Sequence, residues 1–471
     1  MVQRLFTREE SRVMENAGRG ATVAICEVFG DCLGRVVLVG GPGQNGGDAW
    51  VIARRLTLLG HRPLAVLVGD ASRLRGDAQA NWVLLSKLGV ETLEVPPEHA
   101  ASIGEHLTDA TLVVDGLFGT GLDRAITGGY ADAIAAMDRA AAPLVALDLP
   151  SGLDADTGAI FGIAPHAALT VTFAGHKRGL HQFPGVEHAG EVRVADIGIP
   201  SRSSPAASLW TRDDLGALIA PRAGDAHKGT NGHLLVIGGA PGKTGAAVLA
   251  GRAAFRAGAG LVTIGARADA RAALEEKVIE LMTTALPDEA DQAGMGLDEL
   301  GGTWARAVAL HAPVPTVIDA DGLTHIAENG LSSLKGAAAP RILTPHPGEA
   351  ARLLGASTAD VQANRYAAAE ALAKKSGQVV ILKGARSIIA GADELRVCAE
   401  GTPALGVAGT GDVLSGVVGA LGMTLAPTDA AIAGALLHAL AGVEVSVGDR
   451  GLIASEVADA VPVVLARQQG H

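Results

Sequence analysis

The sequence predicts an α/β protein with two domains, and three observations support this prediction. The chain has 471 residues, of which 48% are hydrophobic, whereas a single hydrophobic core usually stops growing at about 250–300 residues. Apolar segments of strand length alternate with segments of helix length in both halves of the chain, a pattern typical of parallel sheets. A segment rich in Pro and Ser, residues 199–208, separates the halves. We therefore place the boundary near Pro205 and expect domains at residues 1–205 and 206–471.

The first half begins with a predicted helix at residues 7–29, where Thr7 and Glu10 have the spacing of a capping box. Five apolar segments are predicted strands, at residues 35–40, 63–69, 111–115, 143–148 and 168–173. Because helix-length segments connect them, we expect a parallel sheet between two layers of helices. The first domain is therefore predicted to be Rossmann-like, with three layers.

The second half repeats the alternation with a different spacing. Its predicted strands lie at residues 233–238, near Val262, Val317 and Ile342, and at residues 379–382, and a helical segment runs from Gly411 onward. We detect no internal repeat, so we expect a second α/β domain of a different type.

Composition and charge exclude several classes of function. The formal net charge is -12 and no long basic run is present, which argues against sequence-independent binding of nucleic acid. Cys26, Cys32 and Cys398 are too few for a disulfide framework and have no metal-ligand spacing. We see neither the apolar core of a signal peptide nor a later run of about 18 apolar residues. We expect a cytoplasmic protein without a membrane or nucleic-acid partner.

Polar loops in the first half follow several of the predicted strands. The glycine-rich residues 40–48 open a helix, where backbone amides at the positive helix end can bind phosphate. This turn taken alone could equally be a tight turn that binds nothing. Residues 115–122, residues 148–154 and Lys177 also follow strands, and the carboxyl ends of parallel strands meet at one crevice. We therefore expect a ligand site there.

These segments, together with Met14-Glu15-Asn16-Ala17-Gly18 and Asp148-Leu149-Pro150-Ser151-Gly152, resemble the NAD(P)H-hydrate epimerase family across most of the first half. The resemblance implies that a hydrated nicotinamide nucleotide contacts a set of thirteen residues. They are Gln44, Asn45, Gly46, Gly47, Asp48, Gly119, Thr120, Gly121, Leu122, Asp123, Arg124, Ala125 and Asp148.

The same resemblance implies a potassium ion held by Asn45, Asp115 and Ser151. Amide, carboxylate and hydroxyl oxygens suit a hard cation, whereas a transition metal prefers His or Cys. The family usually has Asn and Gly where this chain has Gln44 and Ala49. Both changes are tolerable, so we expect the site to be retained.

Asp148 is the predicted acid/base residue of this first site. The substrate carries a hydroxyl group beside the ring nitrogen, so that loss and return of the hydroxyl through an iminium-like state inverts the carbon. This chemistry needs a group that moves protons, and Asp148 lies at a strand end next to the expected ion. The alternative is that Asp148 only caps the turn at Pro150. For Lys177, a phosphate contact and a solvated loop lysine are both open.

The second half contains the turn Gly406-Val407-Ala408-Gly409-Thr410-Gly411-Asp412, which opens an apolar helix. The amides of residues 409–411 could stabilise a phosphoryl group during transfer, while Asp412 accepts a proton from the attacking hydroxyl. An ordinary glycine-rich helix start is the alternative.

Residues 225–229, 343–349 and 382–387, which precede this turn, resemble with it the ribokinase-like ADP-dependent NAD(P)H-hydrate dehydratase family. The resemblance implies a ribokinase-like α/β fold and ADP as co-substrate, with magnesium held mainly by phosphate and water oxygens. It implies two sets of contacts: Lys383, Gly384, Ala385, Arg386, Ser387 and Gly411 with the nucleotide, and Ala246, His346 and Asp412 with the hydrate. His346 could alternatively be a loop histidine packed between two prolines.

One segment departs from this second family. The family normally has an apolar strand and a Gly-Pro-Gly-Leu-Gly loop ahead of the segment that matches residues 316–321, whereas residues 288–298 here read Asp-Glu-Ala-Asp-Gln-Ala-Gly-Met-Gly-Leu-Asp. Closely spaced carboxylates cannot enter a buried central strand without a large desolvation cost. We expect that a strand is absent or replaced, and that dehydratase activity is weakened.

Together the two resemblances imply repair of hydrated NADH and NADPH by a homo-oligomer. The first domain would epimerise the R and S forms, and the second would dehydrate the S form at the expense of ADP, releasing AMP and phosphate. Two alternatives use the same fold. One is a ribokinase-like kinase of a small hydroxylated metabolite with an accessory first domain, and the other is a non-catalytic nucleotide-binding module.

Overall fold

The computed structural model describes residues 9–30, 33–199, 206–286 and 299–469. The chain divides into two compact units, Met1–Ser204 and Pro205–His471. Each unit is built from strands and helices in alternation, so the predicted α/β class is confirmed. Thr7 of the predicted cap and residues 200–205 of the predicted linker lie outside the described residues.

The first unit contains one sheet of seven strands, in the order β3-β2-β1-β4-β5-β6-β7, and all neighbours are parallel. The strands are β1 Val36–Gly40, β2 Leu64–Val68, β3 Glu91–Val95, β4 Leu112–Gly116, β5 Leu144–Leu147, β6 Leu169–Phe173 and β7 Glu191–Ala195. The α-helices are Glu9–Phe29, Gln44–Leu58, Gly76–Lys87, Ile103–Leu107, Gly129–Asp138 and Gly185–Ala189.

The five predicted strands are the buried strands of this sheet. Alternate residues of β1 enter different apolar clusters: Val36 and Leu38 pack on one face, and Val37 and Val39 on the other. All four side chains are fully buried, and each such burial contributes about 1.5–3 kcal/mol. The sheet is therefore covered on both faces, as its unbroken apolar sequence requires.

The two outer strands, β3 and β7, are absent from the prediction. Their sequences, Glu-Thr-Leu-Glu-Val and Glu-Val-Arg-Val-Ala, mix charged and apolar residues, and most of their side chains are exposed or half-buried. An edge strand needs less burial than a central one, so the search for continuous apolar segments missed both.

The second unit has two separate sheets. One has three strands in the order β11-β10-β9, and the other has six in the order β12-β13-β14-β15-β16-β8. The strands are β8 Ser208–Trp210, β9 His233–Ile237, β10 Leu261–Ala266, β11 Met282–Ala285, β12 Thr316–Ile318, β13 Arg341–Leu343, β14 Val379–Leu382, β15 Ile388–Ala390 and β16 Leu395–Cys398. The α-helices are Arg212–Leu218, Thr244–Arg256, Ala268–Glu275, Glu299–His311, Asp321–Asn329, Pro347–Leu354, Thr358–Ala363, Arg365–Ser376, Thr410–Leu421, Pro427–Val445 and Ala454–Gln468.

The edges β9 and β12 both contact the helix Thr410–Leu421, yet no described strand joins them. Leu235 on β9 is 52% exposed, unlike the fully buried strands of the first unit. The expected loss of a strand falls on residues 288–298, which lie outside the described residues.

The helix Pro427–Val445 is long and apolar enough to cross a membrane by length and composition alone. It is not an unbroken apolar run, because Thr428, Asp429, His438 and Glu444 interrupt it. Within the second unit, 67% of the most apolar part of this helix is buried. The helix adds Ile432, Leu436 and Leu437 to the largest apolar cluster. A core helix of a folded domain has these properties as well.

Candidate active sites

Asp148 directly follows β5 in a strained conformation. Its φ is 65°, a left-handed value that is uncommon outside glycine and often marks functional sites. Its Oδ1 lies 2.5 Å from Lys177 Nζ and accepts from the backbone N–H of Phe173 at 3.3 Å. The pairing shows that Asp148 does more than cap the turn at Pro150.

Lys177 is enclosed by polar partners of its own loop. Besides the pair with Asp148, its Nζ donates to the carbonyl oxygens of Phe173 at 2.7 Å and Gly175 at 3.4 Å. The side chain is only 17% exposed, so the alternative of a solvated lysine is wrong. Ala174, between these partners, also has a left-handed φ of 64°.

The three predicted potassium ligands lie in one buried network. Asp115 Oδ1 accepts from Ser151 Oγ at 2.6 Å, and its Oδ2 accepts from the Ser151 backbone N–H at 2.8 Å. Asn45 Nδ2 donates to the carbonyl oxygens of Phe118 at 2.8 Å and Leu147 at 3.0 Å. Ser151 Oγ also accepts from the backbone N–H of Phe118 at 2.9 Å. Asn45 and Ser151 therefore both contact the Phe118 peptide, and Asp115 joins this network through Ser151.

The electrostatic state of Asp115 follows from its burial. The side chain is 0% exposed, and burial raises the pKa of its carboxyl to about 6, although hydrogen bonds from Ser151 and Leu117 oppose this rise. A cation beside the carboxylate would favour its ionised form.

The glycine-rich turn brings its backbone close to neighbouring loops. A Cβ atom on Gly46 would lie 2.0 Å from the carbonyl oxygen of Gly41, and one on Gly41 would lie 2.7 Å from that of Leu117. Side chains at these positions would therefore collide with backbone, which explains the glycines physically. Of the predicted contacts here, Gln44 is exposed, whereas Asn45, Gly46, Gly47 and Asp48 are buried.

Asp48 is a second carboxyl group close to Asp148. It is 8% exposed and accepts no hydrogen bond from the residues that the structure describes. Burial, and then the charge of Asp148, raise the pKa of Asp48 well above its ordinary value. The site therefore combines two carboxyl groups with one lysine.

The loop after β4 contributes residues of differing exposure. A Cβ atom on Gly119 would lie 3.4 Å from Asp148 Oδ2 and 3.6 Å from Asn45 Cγ, so Gly119 borders both predicted groups. Leu122 is half-buried, and the remaining predicted contacts are exposed: Thr120, Gly121, Asp123, Arg124 and Ala125. Their contact with the nucleotide stays a prediction.

In the second unit, Asp412 lies in the first turn of the helix Thr410–Leu421, which starts after Gly409 with φ 93°. Burial, and then repulsion from Asp319, raise the pKa of Asp412, while Lys383 lowers it. A carboxyl group with a raised pKa beside helix N-terminal amides suits the proposed general base.

Lys383 joins the predicted residues to two that sequence reasoning missed. Its Nζ lies 2.7 Å from Asp319 Oδ1, and Ser415 Oγ donates to Asp319 Oδ2 at 2.7 Å. A Cβ atom on Gly411 would lie 3.5 Å from Lys383 Nζ. Asp319 stands at the end of a predicted strand, so the strand-end rule used for Asp148 could have found it.

A buried arginine, Arg365, donates hydrogen bonds to the backbone of the predicted nucleotide loop. Arg365 is 7% exposed and donates to the carbonyl oxygens of Leu382 at 3.2 Å and Lys383 at 3.4 Å. Burial lowers the pKa of Arg365 to about 10. Within the loop, Gly384 and Ala385 are exposed, Arg386 has a left-handed φ of 56°, and Ser387 Oγ donates to the Gly384 carbonyl oxygen at 3.1 Å.

His346 caps the helix Pro347–Leu354, a role that the sequence analysis did not predict. Its Nδ1 accepts from the backbone N–H of Gly348 at 3.0 Å, while the Glu349 carboxylate accepts from the His346 backbone N–H at 2.8 Å. Its side chain is 56% exposed, so packing between two prolines is wrong. Ala246 is half-buried in the first turn of Thr244–Arg256. Contact of either residue with the hydrate stays a prediction.

Within the described ranges, no group of three or more His, Cys, Asp or Glu residues could hold a metal ion. Cys26 and Cys398 are free thiols, and burial raises the pKa of Cys398 to about 12. Cys32 lies outside the described residues.

Two family profiles match the chain in the order that the sequence predicts. The profile of the YjeF-related protein N-terminus matches residues 10–179, and that of NAD(P)H-hydrate dehydratase matches residues 234–460. The bifunctional NAD(P)H-hydrate repair enzyme of Moorella thermoacetica is 37% identical, over 96% of this chain and 92% of that relative. The chain belongs to the bifunctional NAD(P)H-hydrate repair enzymes.

Further members of this repair family are similarly related. The enzyme of Coxiella burnetii is 35% identical over 95% of this chain and 93% of its own length, and that of Escherichia coli is 33% identical over 94% and 87%. Among solved structures, the ADP/ATP-dependent NAD(P)H-hydrate dehydratase of Bacillus subtilis, co-crystallised with ATP and Mg²⁺, is 27% identical with a TM-score of 0.49. The match covers 56% of this chain and 100% of the Bacillus protein.

Proposed function

We propose that this chain repairs hydrated NADH and NADPH, with epimerisation in the first unit and nucleotide-driven dehydration in the second. Family membership supports this function over the kinase and the non-catalytic module. The observation that carries it in the structure is the paired construction of the sites: a lysine-bound aspartate stands at a strand end in each unit, Asp148 with Lys177 and Asp319 with Lys383.

Epimerisation requires a proton to be given and then taken. The hydroxyl group leaves as water after it gains a proton, and the lone pair of the ring nitrogen forms the C=N bond of the iminium state. Water then adds to the opposite face and releases a proton. Asp148 is the acid/base residue of this exchange, because its Oδ2 accepts no hydrogen bond from the described residues and borders Gly119 in the nucleotide loop.

Asn45, Asp115 and Ser151 fit a potassium ion by their chemistry. They supply amide, carboxylate and hydroxyl oxygens, and the two bonds of Asn45 Nδ2 fix its side chain so that Oδ1 is left without a donor among the described residues. When bound, the ion would add positive charge beside the nucleotide loop. The protein side of the site is the Phe118 peptide, which both Asn45 and Ser151 hold in place.

In the second unit, Asp412 accepts the proton of the substrate hydroxyl as that oxygen attacks the terminal phosphorus of the nucleotide. With ADP, AMP departs and the substrate carries the phosphate. Phosphate then leaves with the C–O bonding electrons, and loss of a proton from the next carbon restores the dihydropyridine ring. The amides of Gly409 to Gly411 and the Lys383 ammonium stabilise the transferring phosphoryl group, and magnesium is held mainly by phosphate and water oxygens.

Four finer features belong to the same proposal: dehydration of the S form, ADP as the co-substrate, a cytoplasmic location, and assembly into a homo-oligomer. The dehydratase is expected to be weak, because residues 288–298 depart from the sequence pattern of the dehydratase family. Light scattering of the purified chain tests the assembly.

To test this function, we would start from a mixture of both hydrate epimers and measure the recovery of absorbance at the NADH band. Complete recovery that needs ADP and magnesium is expected, with a rate of epimer exchange that depends on potassium rather than sodium. A stable phosphate ester without recovery would identify a kinase instead. Nucleotide binding without any turnover would identify a binding module.

A further inference from the structure

The Lys177 ammonium group contacts acceptors on its own loop and on Asp148. An ammonium group has three N–H donors, and three acceptors surround this one: Asp148 Oδ1 at 2.5 Å, the Phe173 carbonyl oxygen at 2.7 Å and the Gly175 carbonyl oxygen at 3.4 Å. A phosphate of the nucleotide would have to displace one of these three acceptors. The geometry therefore disfavours the phosphate contact that the sequence left open.

The loop is shaped to bring this lysine to Asp148. Both Asp148 and Ala174 have left-handed φ values, 65° and 64°, and such strain persists only where surrounding contacts enforce it. The bonds of Oδ1 to Lys177 and to the Phe173 backbone N–H hold one edge of the Asp148 carboxylate. The other oxygen, Oδ2, borders Gly119.

Lys177 also places a positive charge beside Asp148, which lies near a second carboxyl group, that of Asp48. Asp48 is buried near Asp148 without a hydrogen bond from any described residue, and the two carboxyl groups repel each other when both are ionised. His176, the residue before Lys177, shares a hydrogen bond of 2.9 Å with His181, and burial and the Lys177 charge lower its pKa. Lys177 is thus the cation that compensates Asp148.

We propose that Lys177 is a positioning residue of the epimerase site, which fixes the Asp148 carboxylate by one oxygen and leaves the other to exchange protons with substrate. This inference rests on the proposed epimerase function. It predicts that loss of the ammonium slows the chemical step and leaves nucleotide binding unchanged, since Lys177 itself contacts no phosphate.

The experiment measures the rate of epimer exchange by the full chain without ADP, so that the second unit contributes nothing. Lys177→Met is expected to lower kcat by about 10- to 100-fold, the range expected when a reacting group is misplaced by about 1 Å, with KM changed by less than about twofold. Lys177→Arg, which keeps the charge, is expected to recover a large part of kcat. Arg178→Met is the matched control, because Arg178 pairs with Asp156 at the surface.

Each other result overturns the proposal. A raised KM with unchanged kcat would assign Lys177 to a phosphate, and equal rates in Lys177→Met and Arg178→Met would leave it without a role. If Lys177→Met fails to fold, an Arg variant as slow as an Asp148→Asn variant would show that the charge is not what matters. A wild-type chain that exchanges no epimers would refute the epimerase function itself, which separates that failure from failure of the Lys177 assignment.

Discussion

The two candidate sites use the same pair of side chains in different ways. In the first unit Lys177 binds one oxygen of Asp148, and in the second unit Lys383 binds one oxygen of Asp319, at 2.5 and 2.7 Å. All four side chains are 14–18% exposed. The difference lies in the second oxygen: that of Asp319 accepts from Ser415 Oγ, whereas that of Asp148 has no donor among the described residues.

This difference separates the roles of the two aspartates. An aspartate with both oxygens engaged can hold a lysine but is poorly placed to move protons, so the second unit needs a separate base, for which we propose Asp412. An aspartate with one oxygen available can be anchored and reactive together. The comparison predicts that the two sites fail independently when their own residues are changed.

The largest expected effect comes from Asp412→Asn. Loss of a general base costs about 10²- to 10⁴-fold in rate, so nucleotide-dependent recovery of NADH absorbance should fall by this factor, while epimer exchange without nucleotide should be unchanged. Asp449→Asn is the matched control, since Asp449 pairs with Arg450 at the surface. Equal loss of both activities in Asp412→Asn would mean that the two sites are not independent.

The sequence predicted Asp148 and Asp412 because both lie at places in the fold that short sequence patterns mark. Asp148 and Asp412 follow a buried strand or a glycine-rich turn, and both features are visible as short local patterns. Asp319 was missed although it also ends a strand, because no glycine-rich loop follows it. Ser415 was missed because a serine inside a helix carries no signal until the helix is packed beside its partner.

The strands, like the site residues, were predicted where a local sequence pattern marks them. Strands that bury both faces, such as β1, have continuous apolar sequences. The edge strands β3 and β7 and short strands such as β15, with only three residues, have too few buried positions to form a pattern. The division of the second sheet depends on pairing between distant strands, which no local pattern reports.

Nucleotide should stabilise only the second unit, because the predicted nucleotide contacts all lie there. Leu235 on β9 is 52% exposed and no described strand joins β9 to β12, so the second unit should unfold first in a thermal scan, in a transition separate from that of the first unit. ADP with magnesium at about 100 times its Kd should stabilise this transition by about 2.7 kcal/mol. An equal shift of the later transition would contradict the assignment of the nucleotide site.

Ser151→Ala should weaken the first unit alone. The change leaves the Phe118 backbone N–H and Asp115 Oδ1 without the Ser151 hydroxyl, and a buried polar group that loses its partner costs about 1–3 kcal/mol. Denaturant unfolding should show this loss in the first unit only. Ser102→Ala is the control, because Ser102 bonds only to a neighbouring carbonyl oxygen at the surface, and it should leave both transitions unchanged.

Asp319→Asn has the smallest expected effect and tests the two roles most directly. Burial, and then repulsion from Asp319, raise the pKa of Asp412. The base must be ionised, so the dehydration rate falls as the pH drops through that pKa. Removing the Asp319 charge lowers the pKa of Asp412 and moves this fall to lower pH. At neutral pH the rate should drop by about tenfold, because loss of a hydrogen bond to a charged group costs about 1.5 kcal/mol. A rate profile that keeps its position on the pH axis would show that Asp319 acts on Lys383 alone. A fall at higher pH would mean that Asp319, like Asp148, itself exchanges the proton, and the contrast between the two pairs would be lost.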